Sequence, residues 1–121
     1  MTEKRNYTRV NYIENAQIKY ADGVADCRVV DISLKGILLQ FSSDSLPQLA
    51  SDQEVTIIMA LEGRDIFLEF QAKASHFNEN TIGFCFTTMD SDSITHLRRL
   101  LELNSGNPAE IDRELIFMVN G

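Results

Sequence analysis

Two short stretches carry residue types that could recognise a ligand. The first is Arg5-Asn6-Tyr7-Thr8-Arg9, with arginines four positions apart, and the second is Asp31-Ile32-Ser33-Leu34-Lys35-Gly36. A guanidinium is permanently charged and planar, and its forked donors match phosphate oxygens or the O6/N7 edge of guanine. It also stacks on an aromatic base. A carboxylate such as Asp31 can accept the N1–H and N2–H donors of a guanine, and the Ser33 hydroxyl adds a further contact. Gly36 would let a ligand approach the backbone closely. Cation, carboxylate and hydroxyl together complement a guanine nucleotide. Each stretch also has a plainer reading. Two arginines four apart often form a solvated face. Asp-x-Ser with a terminal glycine can be an Asx-type turn that bonds its own backbone, its glycine supplying a positive φ.

The elements that must position these stretches read mainly as strands. Alternation from Ala16 to Tyr20, a turn at Ala21-Asp22-Gly23 and a return over Val24 to Val30 form a hairpin that leads into Asp31. Ile37 to Phe41 follows Gly36 directly, and a polar loop from Ser42 to Asp52 contains Pro47. Glu54 to Leu61 is rich in β-branched residues, Glu62-Gly63-Arg64-Asp65 turns it back, and Ile66 to Ala74 puts Ile66, Leu68, Phe70, Ala72 and Ala74 on one face. If that strand runs on to His76, the imidazole has the inward parity and sits at the rim of the core. Thr81 to Thr87, with Ile82, Phe84 and Phe86 on one side, is the last strand. Six short strands joined mainly by tight turns predict an antiparallel meander, closed or nearly closed as a small barrel.

The carboxyl-terminal third changes period. Asp90-Ser91-Asp92 supplies a helix cap, and Ile94, Leu97, Leu100, Leu101 and Leu103 recur at helical spacing until Asn104-Ser105-Gly106. Asn107-Pro108-Ala109-Glu110 restarts a helix with the apolar stripe Ile111, Leu115, Met118 and Val119. These helices are expected to cover the barrel. The expected organisation is thus a single domain over 1–121: a flexible arginine arm at 1–10, a β-barrel at 12–88 and a helical tail at 91–119.

Composition narrows the class. The chain has 121 residues, 44% of them hydrophobic and 24% charged, which suits one globular domain. A net charge of −7 argues against a general affinity for nucleic acid polymers or anionic membranes. No apolar run is long enough to insert in a membrane, and the first residues lack a hydrophobic leader, so a cytoplasmic location is expected. Lys4, Arg5 and Arg9 nonetheless concentrate positive charge in the first nine residues, opposed there by Glu3, on a scale suited to one or two phosphates. Cys27 and Cys85 lie in strand-like apolar runs and are expected to be buried hydrophobes. No Cys–His cluster has zinc spacing, so neither a metal nor a resident cofactor is expected.

An RxxxR arm, a strand hairpin, then DxSxxG in the next strand connection closely resembles the PilZ domain family of bacterial cyclic di-GMP receptors. Ile82-Gly83-Phe84-Cys85-Phe86 looks like the family's last strand, and Leu97 to Asn104 like the helical tail of many members. The resemblance implies a six-stranded split barrel with carboxyl-terminal helices. It implies a second-messenger receptor without catalytic activity, whose arginine arm folds over the ligand on the barrel's outer surface and signals to a protein partner. Arg5 and Arg9 match the motif arginines that clamp guanine edges and phosphate. Asp31, Ser33 and Gly36 match the motif that holds a guanine base. Many members carry a further arginine directly before RxxxR that favours two stacked ligands; Lys4 stands there, keeping the charge without the planar fork, which favours one cyclic di-GMP per protomer. His76 either stacks on a base at the barrel rim or is structural or merely exposed. Two other readings stand beside this one: an interaction adaptor that binds the nucleotide weakly or not at all, and a small nucleotide hydrolase using Asp31 and His76.

Overall fold

A computed structural model describes residues 7–61 and 66–120, with side chains through residue 118. The expected turn at 62–65 and the Val119 side chain lie outside what is described. Six strands are present: Val10–Tyr20 (β1), Gly23–Ile32 (β2), Gly36–Gln40 (β3), Glu54–Ala60 (β4), Phe67–Asn78 (β5) and Thr81–Met89 (β6). Two helices follow, Ser91–Ser105 (α1) and Pro108–Asn120 (α2). The period-two pattern of β5 shows why the chain folds this way. Leu68, Phe70, Ala72 and Ala74 are buried, while Phe67, Glu69, Gln71 and Lys73 between them face water. Ile66, just before the strand, is half-buried against the same core.

The strands close into a barrel in the order β1-β2-β3-β6-β5-β4, with every pairing antiparallel. This corrects the expected meander, in which β4 would lie beside β3. Tight turns specify only the local hairpins. The 41–53 loop instead carries the chain away, so that β4 pairs with β1 (Ala16↔Met59) and β6 pairs with β3 (Ile37↔Phe84). Closure joins β4 back to β1 over Ala16–Lys19, so that no described strand is left with an edge open along its whole length. The interior is filled by Ile18, Val29, Ile32, Ile37, Leu39, Ile57, Met59, Leu68 and Phe70, with Phe86 stacked on Phe70 at a centroid distance of 4.6 Å.

The helix punctuation follows from the sequence. The Asp90 carboxylate accepts the Ser93 N–H at 2.7 Å, which lowers the acid's pKa, and Gly106 ends α1 at φ 74°. The Asn107 side chain accepts the Glu110 N–H at 3.2 Å to start α2. Leu97, Leu100 and Leu101 enter the core, whereas Leu103, expected in that stripe, is 75% exposed. The Ser93 hydroxyl accepts the Glu69 N–H at 3.3 Å, fastening α1 to β5. Arg98 of α1 binds both Glu102 and Asp112, the latter on α2. On α2, Ile111 is fully buried and Leu115 and Met118 pack partly on the core, but the same face also buries Glu114. No helix among the described residues is long and apolar enough to cross a membrane.

Both cysteines are free and half-buried, not wholly enclosed as expected. Burial, assisted by neighbouring Asp26, pushes the Cys27 thiol up to about 12. Its thiolate is therefore scarce at neutral pH. Iodoacetamide at pH 8 is expected to label Cys27 on the order of a thousandfold more slowly than an unperturbed cysteine, whose pKa is about 8.5. The rate should still climb about tenfold per pH unit beyond pH 10; peptide mass spectrometry showing a plateau below that pH would contradict the assignment.

Candidate functional site

Asp31 lies within β2, two residues before the loop that joins it to β3. The β2–β3 register shifts between Val29 and Asp31, so the strand carries one extra residue there. Such a bulge reverses the alternation and re-aims the side chains that follow. Val29 points into the core, and Asp31 is left partly open to solvent. Arg9 immediately precedes β1, whose Asn11 pairs with Asp31. Arg9 therefore arrives beside the same corner, and its Nη1 donates to Asp31 Oδ1 at 2.8 Å. The two side chains, 22 residues apart, are 60% and 19% exposed.

The loop after Asp31 is built by Ser33. Its N–H donates to the Gly36 carbonyl at 2.9 Å, and its Oγ accepts the Lys35 and Gly36 N–H groups at 3.2 Å each. Ser33 is buried, so its hydroxyl shapes the loop from within. Leu34, equally buried, anchors the loop in the core. Gly36 does not need a positive φ, contrary to the turn argument; among the described glycines only Gly23 and Gly106 have one. What requires glycine is the neighbouring strand: a Cβ at Gly36 would fall far inside 3.0 Å of the Phe84 carbonyl oxygen. Lys35 projects outward, with its Nζ 5.9 Å from the centre of the Tyr7 ring. The outer surface here thus carries the Arg9–Asp31 pair and, on the adjoining loop, the Lys35 cation over Tyr7, an arrangement suited to an anionic ligand with hydrogen-bond donors on its base.

The expected arm is only partly described. Lys4 and Arg5 lie outside the described residues. In the described part of the expected arm, three residues make contacts with the rest of the chain. Thr8 is bonded to Glu114, Arg9 to Asp31, and Val10 is already buried in β1. The contact between Thr8 and Glu114 was not legible in the sequence, because nothing in the first ten residues marks Thr8 as a partner for a distant helix.

His76 sits elsewhere on the barrel. β5 does run through it to Asn78, but the β5–β6 register shifts between Ala74 and His76, and this reverses the expected inward parity. His76 is exposed on the outer face, against Gly83. Register places Asn11, Asp31, Leu38, Gly83 and His76 side by side across β1, β2, β3, β6 and β5. Asp31 on β2 and His76 on β5 are thus three steps apart in a closed six-stranded barrel, on opposite sides of it. An acid–base pair works at hydrogen-bond distance, and the structure does not bring these two together. Among the described residues no group of His, Cys, Asp and Glu could hold a metal ion. Tyr7, Lys35 and Leu38 are neighbours of the corner that the motifs did not single out, although the first two lie inside them.

The comparisons with known proteins agree with this architecture. The PilZ domain matches residues 3–103, and the chain belongs to that family. The PilZ domain of YcgR from Escherichia coli, solved with c-di-GMP, is 18% identical with a TM-score of 0.66, covering 98% of each chain. The inhibitor of motility MotI (DgrA) of Bacillus subtilis is 18% identical with a TM-score of 0.66, over 84% of this chain and 53% of its own. The PilZ domain of CeSA from a cellulose-synthesizing bacterium is 19% identical with a TM-score of 0.60, over 82% of this chain and 96% of its own. The chain thus spans about half the length of MotI, and likewise half of the longer YcgR structure.

Proposed function

We propose that the protein is a non-catalytic receptor for cyclic di-GMP that passes its occupancy to a partner protein. The observation that carries this reading is the meeting of Arg9 and Asp31 on the outer surface, beside the Ser33–Gly36 loop and Lys35. Family membership and the c-di-GMP-bound YcgR domain of the same fold support the ligand's identity. In the proposed complex Asp31 accepts from the guanine N1–H and N2–H, while Arg9, joined by Arg5 and Lys4 from the arm, meets phosphate and the O6/N7 edge. Ser33 and Gly36 contribute by fixing the loop.

Isothermal calorimetry with cyclic di-GMP, and with GMP and cyclic di-AMP as controls, tests this. One cyclic di-GMP per protomer is expected, because Lys4 lacks the fork that would serve a second stacked ligand. Adenine offers an acceptor at N1 where Asp31 requires a donor, so cyclic di-AMP should bind far more weakly. Equal binding of the two dinucleotides, or no binding of cyclic di-GMP, would overturn the reading. His76, three strands from Asp31, is expected to matter little: His76→Ala should change the dissociation constant by less than about threefold, under ~0.7 kcal/mol.

A further inference from the structure

We infer that Glu114 is a positioning residue that couples helix α2 to the ligand-binding corner. The inference rests, for its ligand half, on the receptor reading above. Glu114 is 1% exposed, on the same face of α2 as Ile111 and Leu115. An apolar side chain would fill such a position without the desolvation cost of a carboxylate. Instead both oxygens of Glu114 are engaged by one residue of the arm. The Thr8 N–H donates to Oε1 at 2.9 Å, and the Thr8 hydroxyl donates to Oε2 at 2.5 Å, across 106 residues of sequence.

The position of that partner gives the clamp its meaning. Thr8 is bonded directly to Arg9, so fixing the Thr8 N–H fixes where the Arg9 side chain begins. With Thr8 held, the Arg9 guanidinium already lies on Asp31. On the receptor reading, the clamped arm is the arm in its binding position. α2 is in turn tied to α1 through Arg98 and Asp112, and to the core through Ile111. Ligand binding and the seating of α2 favour one another, and such coupling acts equally in both directions. Occupancy at the corner is then felt by a helix whose other face carries the exposed Ile116.

Hydrogen–deuterium exchange and calorimetry on the full chain test this together. In the wild-type protein, cyclic di-GMP should slow exchange of the α2 amides. Glu114→Leu fills the space but offers no acceptor; it should weaken cyclic di-GMP binding about fivefold and abolish the slowing in α2, the low end of typical coupling. Glu114→Gln, which can accept from the Thr8 N–H and donate to its hydroxyl, should recover most of both effects. Wild-type affinity together with wild-type slowing in Glu114→Leu would overturn the inference. Should that variant fail to fold, Thr8→Val, which replaces the hydroxyl by a methyl of similar size and keeps the N–H, must shift both readouts in the same direction or the inference fails. If the wild-type protein binds no cyclic di-GMP, the receptor reading falls, and the ligand-free comparison still decides the clamp. Thr8→Val should speed α2 exchange about threefold or more, and unchanged exchange would overturn it.

Discussion

Arg9→Ala is expected to weaken cyclic di-GMP binding at least tenfold while leaving the barrel almost as stable as before. The two halves of this expectation have different physical sources. A hydrogen bond to a charged group contributes about 1.5–3 kcal/mol net, and a tenfold change in affinity is about 1.4 kcal/mol. One lost contact to phosphate or guanine is therefore enough. The Arg9–Asp31 pair, by contrast, lies at the surface with the guanidinium 60% exposed. Pairs of that kind contribute about 0–1 kcal/mol to folding, a shift of only a few degrees in melting temperature. Arg9→Lys separates charge from shape. It keeps the cation but loses the planar fork, so its affinity should fall between wild type and alanine. Calorimetry and a thermal melt on all three proteins make the comparison. Undiminished affinity in Arg9→Ala would remove Arg9 from the site, and a collapsed melting temperature would make it a structural residue.

What could be read from the sequence were the features with local causes. The alternation of β5, the Asp90 and Asn107 caps and the Gly106 stop each depend on a few neighbouring residues, and all stand in the structure. The two stretches proposed to recognise the ligand were visible through their combination and order along the chain, since either alone has a plainer reading. The features that escaped depend on distant partners, on an inserted residue or on a polar residue at a buried parity. β1 begins at Val10 rather than Ala16: Val10, Tyr12, Ala16 and Ile18 share one buried parity, but Glu14 stands at that parity between them and hides the strand's start. The shift near Ser75 turns His76 outward. The β3–β6 neighbourship follows from barrel closure, which no single turn encodes. Glu114 is the clearest case. At helical spacing it reads as an ordinary acidic residue, and only the folded chain shows Thr8 arriving to bond it.

Gly36 is where local reasoning and the fold give different answers, and a substitution separates them. If glycine served only to let a ligand approach, Gly36→Ala would keep its stability and lose affinity. The structure predicts a loss of stability first. The added methyl would press into the Phe84 carbonyl oxygen, a backbone atom of β6 held by its pairing with β3 and unable to swing away. Relieving that overlap means parting the two strands at the mouth of the loop, where the Phe86 N–H donates to the Lys35 carbonyl at 2.9 Å. Overpacking of this kind typically costs about 1–3 kcal/mol, which for a domain of this size lowers the melting temperature by roughly 5–15 °C. Gly83→Ala is the internal control. Its methyl would meet His76 Cβ at 3.4 Å, an ordinary van der Waals contact with no backbone oxygen in the way, and its melting temperature should fall by less than about 4 °C. Melts of the two variants without ligand that showed equal, small shifts would return Gly36 to a purely ligand-facing role.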